Sequence, residues 1–441
     1  MNEEHRWLVR ELRERVALEL SNAPGGDGQG GRHLAPADKR QLARKLIEEG
    51  LRADAAGRLK RGEHPLDDAT WDSIAQAVYD ALFGLGPLQP LLEDQTITDI
   101  HVNGCETVFV RRRADGTTER VGPVADSDDE LIELVRRAAS RQGRTERRFD
   151  EGAPNLDLQL PDGSRLHALM EVTHRPSVTI RLHHFRDATL GELQGMGMST
   201  DAVSAFSKAL VLARMNTLVT GGQAVGKTTY MRALIHEVPA EERLVVIEDS
   251  LELGIERMPH RHPNVVSIEA RQPNIEGKGG ISLADEVRWS LRMDADRVVV
   301  GEVRSHEVLP MLNVMSSGKR GSMCTLHADS SSGVFERLAM LCVQTPERLD
   351  HEATALLVAN AIDFVIFIHR VGGHRCVASI REVTGADGRI VATNEVFSPD
   401  ETGMATPTGR GRISDWRLGA LADVGFEPSW LDARRPMEVS R

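Results

Sequence analysis

Residues Asn216 to Thr229 read NTLVTGGQAVGKTT, and this stretch constrains the fold more than any other. A short apolar run, Leu218 to Thr220, predicts a buried strand. It breaks into Gly221-Gly222, then Gly226-Lys227-Thr228-Thr229, then the helical run YMRALI. Strand, Gly-x-x-x-x-Gly-Lys-Thr and helix in that order form a phosphate-binding loop in its proper context. Gly221 and Gly226 let the loop turn tightly and bring backbone N–H groups to an anion. The helix aims its N-terminal donors and positive dipole end at the same place. Lys227 is suited to the β- and γ-phosphates of a nucleotide, and the Thr228 hydroxyl to Mg²⁺. Gly222, Gln223, Ala224, Val225 and Thr229 complete the loop. The inner three are bulkier than such loops usually carry.

Bulk properties exclude several classes. The 441 residues suggest two or three domains. A formal net charge of −12 makes the molecule as a whole a poor match for nucleic acid, so no direct nucleic-acid partner is expected. Cys105, Cys324, Cys342 and Cys376 are widely spaced and form neither a zinc pattern nor a disulfide framework. That spacing predicts a reducing, cytoplasmic compartment. The charged start, MNEEHRW, predicts no signal peptide. The apolar run Ala355 to Ile368 is interrupted by Asn360 and Asp363 and is too short to span a bilayer. Any work at a membrane is therefore expected through partners.

Along the chain, residues 1–22 read as an amphipathic helix with Leu8, Leu12, Val16 and Leu20 at i+4 spacing, either docked or frayed. Residues 23–37 are crowded with Gly and Pro and read as a flexible linker. Residues 38–95 hold two further helical patterns, Leu42-Leu46-Ile47-Leu51 and Trp71-Ile74-Val78-Leu82. Residues 96–186 change to short strands (DIHV, TVFVRR, LDLQL, RLHALM, SVTIRL) around a helix, Asp128 to Ala139. Turn signals at Asn103-Gly104, Asp115-Gly116 and Asp162-Gly163 separate the strands, giving an α+β domain. Residues 187–200 are the expected inter-domain passage. Residues 201–397 alternate strand and helix, as a mostly parallel α/β sheet requires. They close with a hairpin, CVASIREV and RIVATNEVF, around Asp387-Gly388. Residues 398–441 read as a peripheral tail.

Four segments narrow the chemistry beyond nucleotide binding. In LVVIEDSLE, an apolar strand ends in Glu248 and Asp249. Acidic groups there can hold Mg²⁺, orient its waters or position the attacking water, or form a solvated turn. In RVVVGEVR, a strand expected beside the loop strand delivers Glu302, a carboxylate able to polarise the attacking water. Asp296 lies at the wrong end of that strand for metal binding. Arg304 can pair with Glu302 or reach a phosphate. In GSMCTLHADS, a strand ends at His327, a structural residue when taken alone but by its order in the chain a γ-phosphate sensor. In the earlier domain, Arg165 and Arg181 are either surface charges or phosphate contacts supplied across a domain or subunit boundary.

The order of these motifs resembles the secretion and pilus-assembly ATPases of the type II/type IV superfamily, most nearly the CpaF/TadA type of Tad (Flp) pilus assembly. The resemblance covers roughly residues 70 to 385. It rests on GLGPLQPLLEDQTITDIHVNG, LPDGSRLHAL, SVTIRLHHF, GGQAVGKTT, VVIEDSLEL, RQPNIEGKG, RVVVGEVR and TLHADS. It implies a RecA-like P-loop domain after an α+β, PAS-like domain and N-terminal helices. It also implies a hexameric ring, with ATP and Mg²⁺ bound between the two domains. The ring would dock at the cytoplasmic face of the inner membrane on a platform protein. By position Lys227, Thr228, Glu248, Glu302 and His327 take the family's phosphate, metal, acidic and histidine-box roles.

The sequence also departs from that family. Gln223-Ala224-Val225 replace the usual Thr-Gly-Ser. Lys319-Arg320 replace His-Asp, placing two positive charges near the ring surface or the nucleotide. Asp329 replaces Asn, and the tetra-cysteine zinc module of type II secretion ATPases is missing. Three functions stay open: an ATP-driven motor for pili or secretion, a nucleotide-binding scaffold that turns over little, and a nucleic-acid motor. The net charge disfavours the third.

Overall fold

The computed structural model describes residues 3–23, 35–113, 116–141, 148–182, 188–271, 278–409 and 412–432. Most of the expected linker, Asp115, Asp187, the centre of RQPNIEGKG and the final nine residues lie outside them. The chain divides into two compact units, Met1–His184 and Phe185–Arg441.

The first unit opens with three helices, α1 (Glu3–Asn22), α2 (Pro36–Lys60) and α3 (Asp68–Phe83). Their apolar stripes meet: Leu8, Leu12, Val16 and Leu20 pack with Ile47, Leu51, Ile74 and Val78. The i+4 spacing read from the sequence is therefore a packing face, and α1 is docked. Asp67 caps α3 by accepting from the Thr70 N–H at 2.7 Å. A short helix, α4 (Gln89–Glu93), leads into a six-stranded sheet.

The strands are β1 (Ile97–Asn103), β2 (Val108–Arg112), β3 (Thr118–Val121), β4 (Asn155–Gln159), β5 (Arg165–Leu169) and β6 (Ser177–Arg181). Helix α5 (Asp128–Arg141) follows β3. The order β3-β2-β1-β6-β5-β4 is antiparallel throughout. One face buries Ile100, Val102, Val108 and Val110 with Leu131, Leu134 and Val135 of α5. Strand β3 has no apolar alternation in its sequence. It forms as a mostly exposed edge through backbone pairing with β2.

The second unit begins with α6 (Leu190–Gly195) and α7 (Asp201–Leu212). It then runs β7 (Thr217–Gly221), α8 (Lys227–His236), β8 (Leu244–Glu248), β9 (Val265–Glu269), α9 (Leu283–Ser290) and β10 (Arg297–Val303). Next come α10 (Val308–Ser316), β11 (Met323–His327), α11 (Val334–Gln344), α12 (His351–Ala361) and β12 (Phe364–Val371). It ends with β13 (His374–Asp387), β14 (Ile390–Pro399), β15 (Ala405–Pro407) and α13 (Asp415–Asp423).

The sheet order is β15-β14-β13-β12-β7-β11-β10-β8-β9. From β12 to β9 the pairing is parallel, and β13, β14 and β15 extend it antiparallel. Alternate strand residues enter opposite cores. Val219, Leu244 and Val246 join the cluster containing Phe206 and Leu234, whereas Leu218, Val245 and Ile247 join the one containing Leu312 and Leu338. A parallel sheet covered on both faces has this pattern, which explains the unbroken apolar runs. Asn216 anchors the start of β7. Its amide donates to Met315 O (2.9 Å) and Ala361 O (2.8 Å) and accepts from Ser322 N (3.0 Å).

Three expectations change. The Arg297–Val303 strand does not lie beside the loop strand, because β11 pairs with β7 and separates it from β10. The 187–200 passage carries α6 and buries Leu190, Leu193 and Met198 in the second unit's core. The stretch after Ser398 is not peripheral: Leu421, Phe426 and Leu431 are buried, and Phe426 meets Phe206 edge-on with ring centroids 5.3 Å apart. Sequence pattern undercounts such segments because the apolar contacts are few and spaced by turns.

Candidate functional site

The loop between β7 and α8 has the backbone its glycines require. Gly221 has φ 151°, and a Cβ there would lie 2.2 Å from the Ile368 carbonyl oxygen of β12. Gly226 has φ 101° and caps α8 with no side-chain hydrogen bond, so the first N–H groups of the helix are left to a ligand. Of the bulky inner residues, Val225 is buried in the core, whereas Gln223 and Ala224 are exposed. Ala224 holds φ 58°, a left-handed conformation that costs a non-glycine residue about 1 kcal/mol. Thr228 and Thr229 are half-buried at the first turn of α8. The glycine cradle, the uncapped helix end and Lys227 fit a polyphosphate.

Lys227 is buried. Its amine donates to the carbonyls of Gly222 (2.8 Å) and Gly221 (3.2 Å) and lies 3.1 Å from His327 Nδ1. Burial lowers its pKa to about 8, an effect partly offset by the Glu302 charge. His327, paired opposite Gly221 at the end of β11, puts Nε2 2.5 Å from Glu302 Oε1. His327 therefore lies between the Lys227 amine and Glu302, yet Glu302 Oε1 gains no hydrogen bond from it among the described residues. Its pKa is lowered by burial and by the Lys227 charge. Strand β11 thus lies between the loop strand and β10, and its terminal histidine spans the gap that the intervening strand creates.

Glu302 lies where the β10–β11 register shifts between Val300 and Val303. Such an irregularity re-aims a side chain at a strand end. Arg304 chelates the other Glu302 oxygen, with Nε at 2.8 Å, and stands 3.6 Å from Asp249. Asp249 is exposed. Glu248 behaves differently. It is 3% exposed, and its carboxyl group accepts from the N–H groups of Glu252 and Leu253, both at 3.0 Å. Burial pushes its pKa up to about 8 against the pull of these donors. Its geometry shapes the Asp249–Leu253 turn and leaves Thr228 and Asp249 as the better-exposed oxygen donors for Mg²⁺.

With this geometry, the comparisons decide the family. The family described as Type II/IV secretion system protein matches residues 82–414. This chain belongs to that family. A putative conjugal transfer protein of Mycobacterium tuberculosis is 34% identical over 321 residues, covering 70% of this chain and 88% of that protein. The type IV secretion system protein VirB11 of Brucella suis is 30% identical over 319 residues, covering 65% of this chain and 85% of VirB11. The crystal structure of the Brucella suis VirB11 ATPase in complex with sulphate is 28% identical. It covers 67% of this chain and 95% of its own, with a TM-score of 0.36.

Elsewhere in this family member, Arg165 and Arg181 face each other across β5 and β6. Arg181 is exposed and stands 3.4 Å from Asp99. Both belong to the first unit. Lys319 and Arg320 precede β11, at the end opposite His327. The Lys319 amine donates to Ala295 O at 2.8 Å, and Arg320 lies over the Trp416 ring. These two charges are therefore remote from the loop. Most of RQPNIEGKG lies outside the described residues.

Two supporting residues escaped sequence reading. Buried Arg232 of α8 donates to Leu253 O (2.9 Å) and Glu252 O (2.7 Å), tying the acidic turn to the helix after the loop. The signal was an arginine within an apolar run. At Gly301 a Cβ would lie 2.8 Å from Glu248 Cγ, so β8 and β10 need glycine there.

Proposed function

We propose that this chain is a Mg²⁺-dependent ATPase motor that powers a secretion or pilus-assembly machine. The observation that carries the reading is the continuous Lys227–His327–Glu302 contact at the tip of a parallel sheet, beside a glycine-cradled helix N-terminus. Lys227 would exchange the loop carbonyls for phosphate oxygens. Glu302, oriented by Arg304, would polarise the attacking water, and His327 would relay whether Lys227 is engaged. Thr228 and Asp249 would hold Mg²⁺, which when bound would neutralise phosphate charge. Glu248 sets the shape of the acidic turn.

Membership of the family and likeness to VirB11 support the secretion or pilus role. In this reading the chain works as a homo-oligomer, a hexameric ring, at the cytoplasmic face of the inner membrane on a platform protein. Among the described residues no helix is long and apolar enough to cross a membrane. The Tad-type assignment rests on the sequence resemblance. Arg165 and Arg181 are proposed as further phosphate contacts. Two guanidinium groups directly opposite on neighbouring strands repel and gain from a shared anion.

The test is steady-state Mg-ATP hydrolysis by the full chain, with oligomer size recorded with and without nucleotide. Lys227→Ala and Glu302→Gln should each lower kcat at least a hundredfold. Unchanged hydrolysis in Lys227→Ala would sink the motor. A second reading, a scaffold with little turnover, is favoured by the strained Ala224 and by the bonding of Lys227 to its own loop. Ring assembly and ATP binding without hydrolysis would select it.

A further inference from the structure

The hairpin after the loop strand's other neighbour presents two arginines that the roles above do not use. Strands β12 and β13 are joined by Gly372 and Gly373, at φ 54° and 93°, the two left-handed positions of a tight hairpin turn. Val371 pairs with His374, and the next pair inward is Arg370 opposite Arg375. Directly opposed residues of an antiparallel pair share a face, and like charges so placed destabilise the hairpin. Both side chains are exposed. The Arg370 Nε donates to Gly373 O at 3.1 Å. Among the described residues neither arginine has a carboxylate partner within salt-bridge distance.

The hairpin lies against the phosphate loop. The Ile368 carbonyl is the atom that forbids a side chain at Gly221. On the neighbouring strand, Arg375 Cδ lies 3.6 Å from the point a Cβ on Gly226 would occupy. Gly226 is the N-cap of α8, whose first N–H groups receive no side-chain cap from it. An arginine whose stem passes that point, exposed, without a carboxylate partner and opposite a second arginine, is complementary to a chain of phosphates. We propose that Arg375, backed by Arg370, is a nucleotide-binding residue that hydrogen-bonds the polyphosphate of the nucleotide held by the Gly221–Thr229 loop of the same chain. This assignment rests on the ATP-binding reading above and adds a contact supplied within one subunit.

Equilibrium binding of a fluorescent ATP analogue to the full chain, displaced by ATP, ADP and AMP, tests it without depending on turnover. Arg375→Gln should weaken ATP about tenfold, as expected for loss of one charge-assisted hydrogen bond. The loss should shrink from ATP through ADP to AMP. Arg375→Lys should restore part of the affinity, and Arg370→Gln should lose less than Arg375→Gln. Affinity within twofold of wild type in Arg375→Gln, measured while Lys227→Ala abolishes binding, would overturn the assignment. So would a fall of several degrees in the melting temperature of Arg375→Gln, because the residue would then be structural. If the wild type itself binds no ATP, the ATP-binding reading falls first and takes this contact with it.

Discussion

At the residue scale, burial sets the electrostatics of the site. Glu248 ionises at about 8 in the folded chain, against an ordinary value near 4.5. A raised carboxyl contributes full stability below pH 4.5 and loses it as pH climbs to 8. The difference amounts to about 4–5 kcal/mol at most. Glu248→Gln keeps an oxygen for the Glu252 and Leu253 N–H groups. Its urea stability should therefore be nearly flat over pH 5 to 8, where the wild type declines. Lys227 has the opposite sign: its lowered pKa makes protonation costly below pH 8, and that cost fades toward pH 10.5. A bound polyphosphate should return Lys227 to its charged form, so wild-type nucleotide affinity, followed by equilibrium binding, should fall above pH 8. Ala224→Gly relieves a left-handed alanine while adding freedom to the unfolded chain. Its net effect on thermal stability should lie between about 0 and +1 kcal/mol.

At the element scale, strand order decides which residues meet. Because β11 separates β7 from β10, the contact from Lys227 to Glu302 runs through His327. Gly301 admits Glu248 between β8 and β10. Gly301→Ala should cost about 1–3 kcal/mol through overpacking and should lower kcat by displacing both acidic residues. Differential scanning with parallel ATPase assays checks both. Helix α13 packs into the core that also holds α7 and α8. Arg417 donates to Asp363 (2.8 Å) and Glu382 (3.0 Å), all three side chains being at least nine-tenths buried. Arg417→Ala leaves two carboxylates unpaired and should destabilise the second unit by about 3–5 kcal/mol, measured as a lower denaturant midpoint. The alternative to this network is an apolar core, so its retention fixes where α13 docks and not how stable the fold could be.

At the scale of the whole molecule, two units with separate cores should unfold in separable steps. Saturating Mg-ATP at a hundred times Kd should raise the step belonging to the loop-bearing unit by about 2.7 kcal/mol. If Arg165 and Arg181 also hold the phosphates, the step of the first unit moves too, and Arg181→Ala abolishes that second shift alone. The net charge of −12 disfavours nucleic-acid binding, and DNA should leave the ATPase rate unchanged.

Local chemistry made the glycine-rich loop, the strand before it and the helix after it legible in the sequence. Glycines at fixed spacing, apolar runs ending in charged residues and i+4 stripes act over a few neighbouring residues, so they need no tertiary context. The sequence by itself also placed Glu248, Glu302 and His327 at strand ends, because each follows four or five buried-strand residues. What it could not order was the strands. The pairing of β11 between β7 and β10 depends on which apolar faces bury best together across more than a hundred residues. The same holds for Glu248 turning its carboxyl onto backbone N–H groups, for α6 and α13 joining the core, and for Arg375 arriving beside Gly226. These follow from packing and from the satisfaction of buried polar groups, which are settled only when distant segments meet.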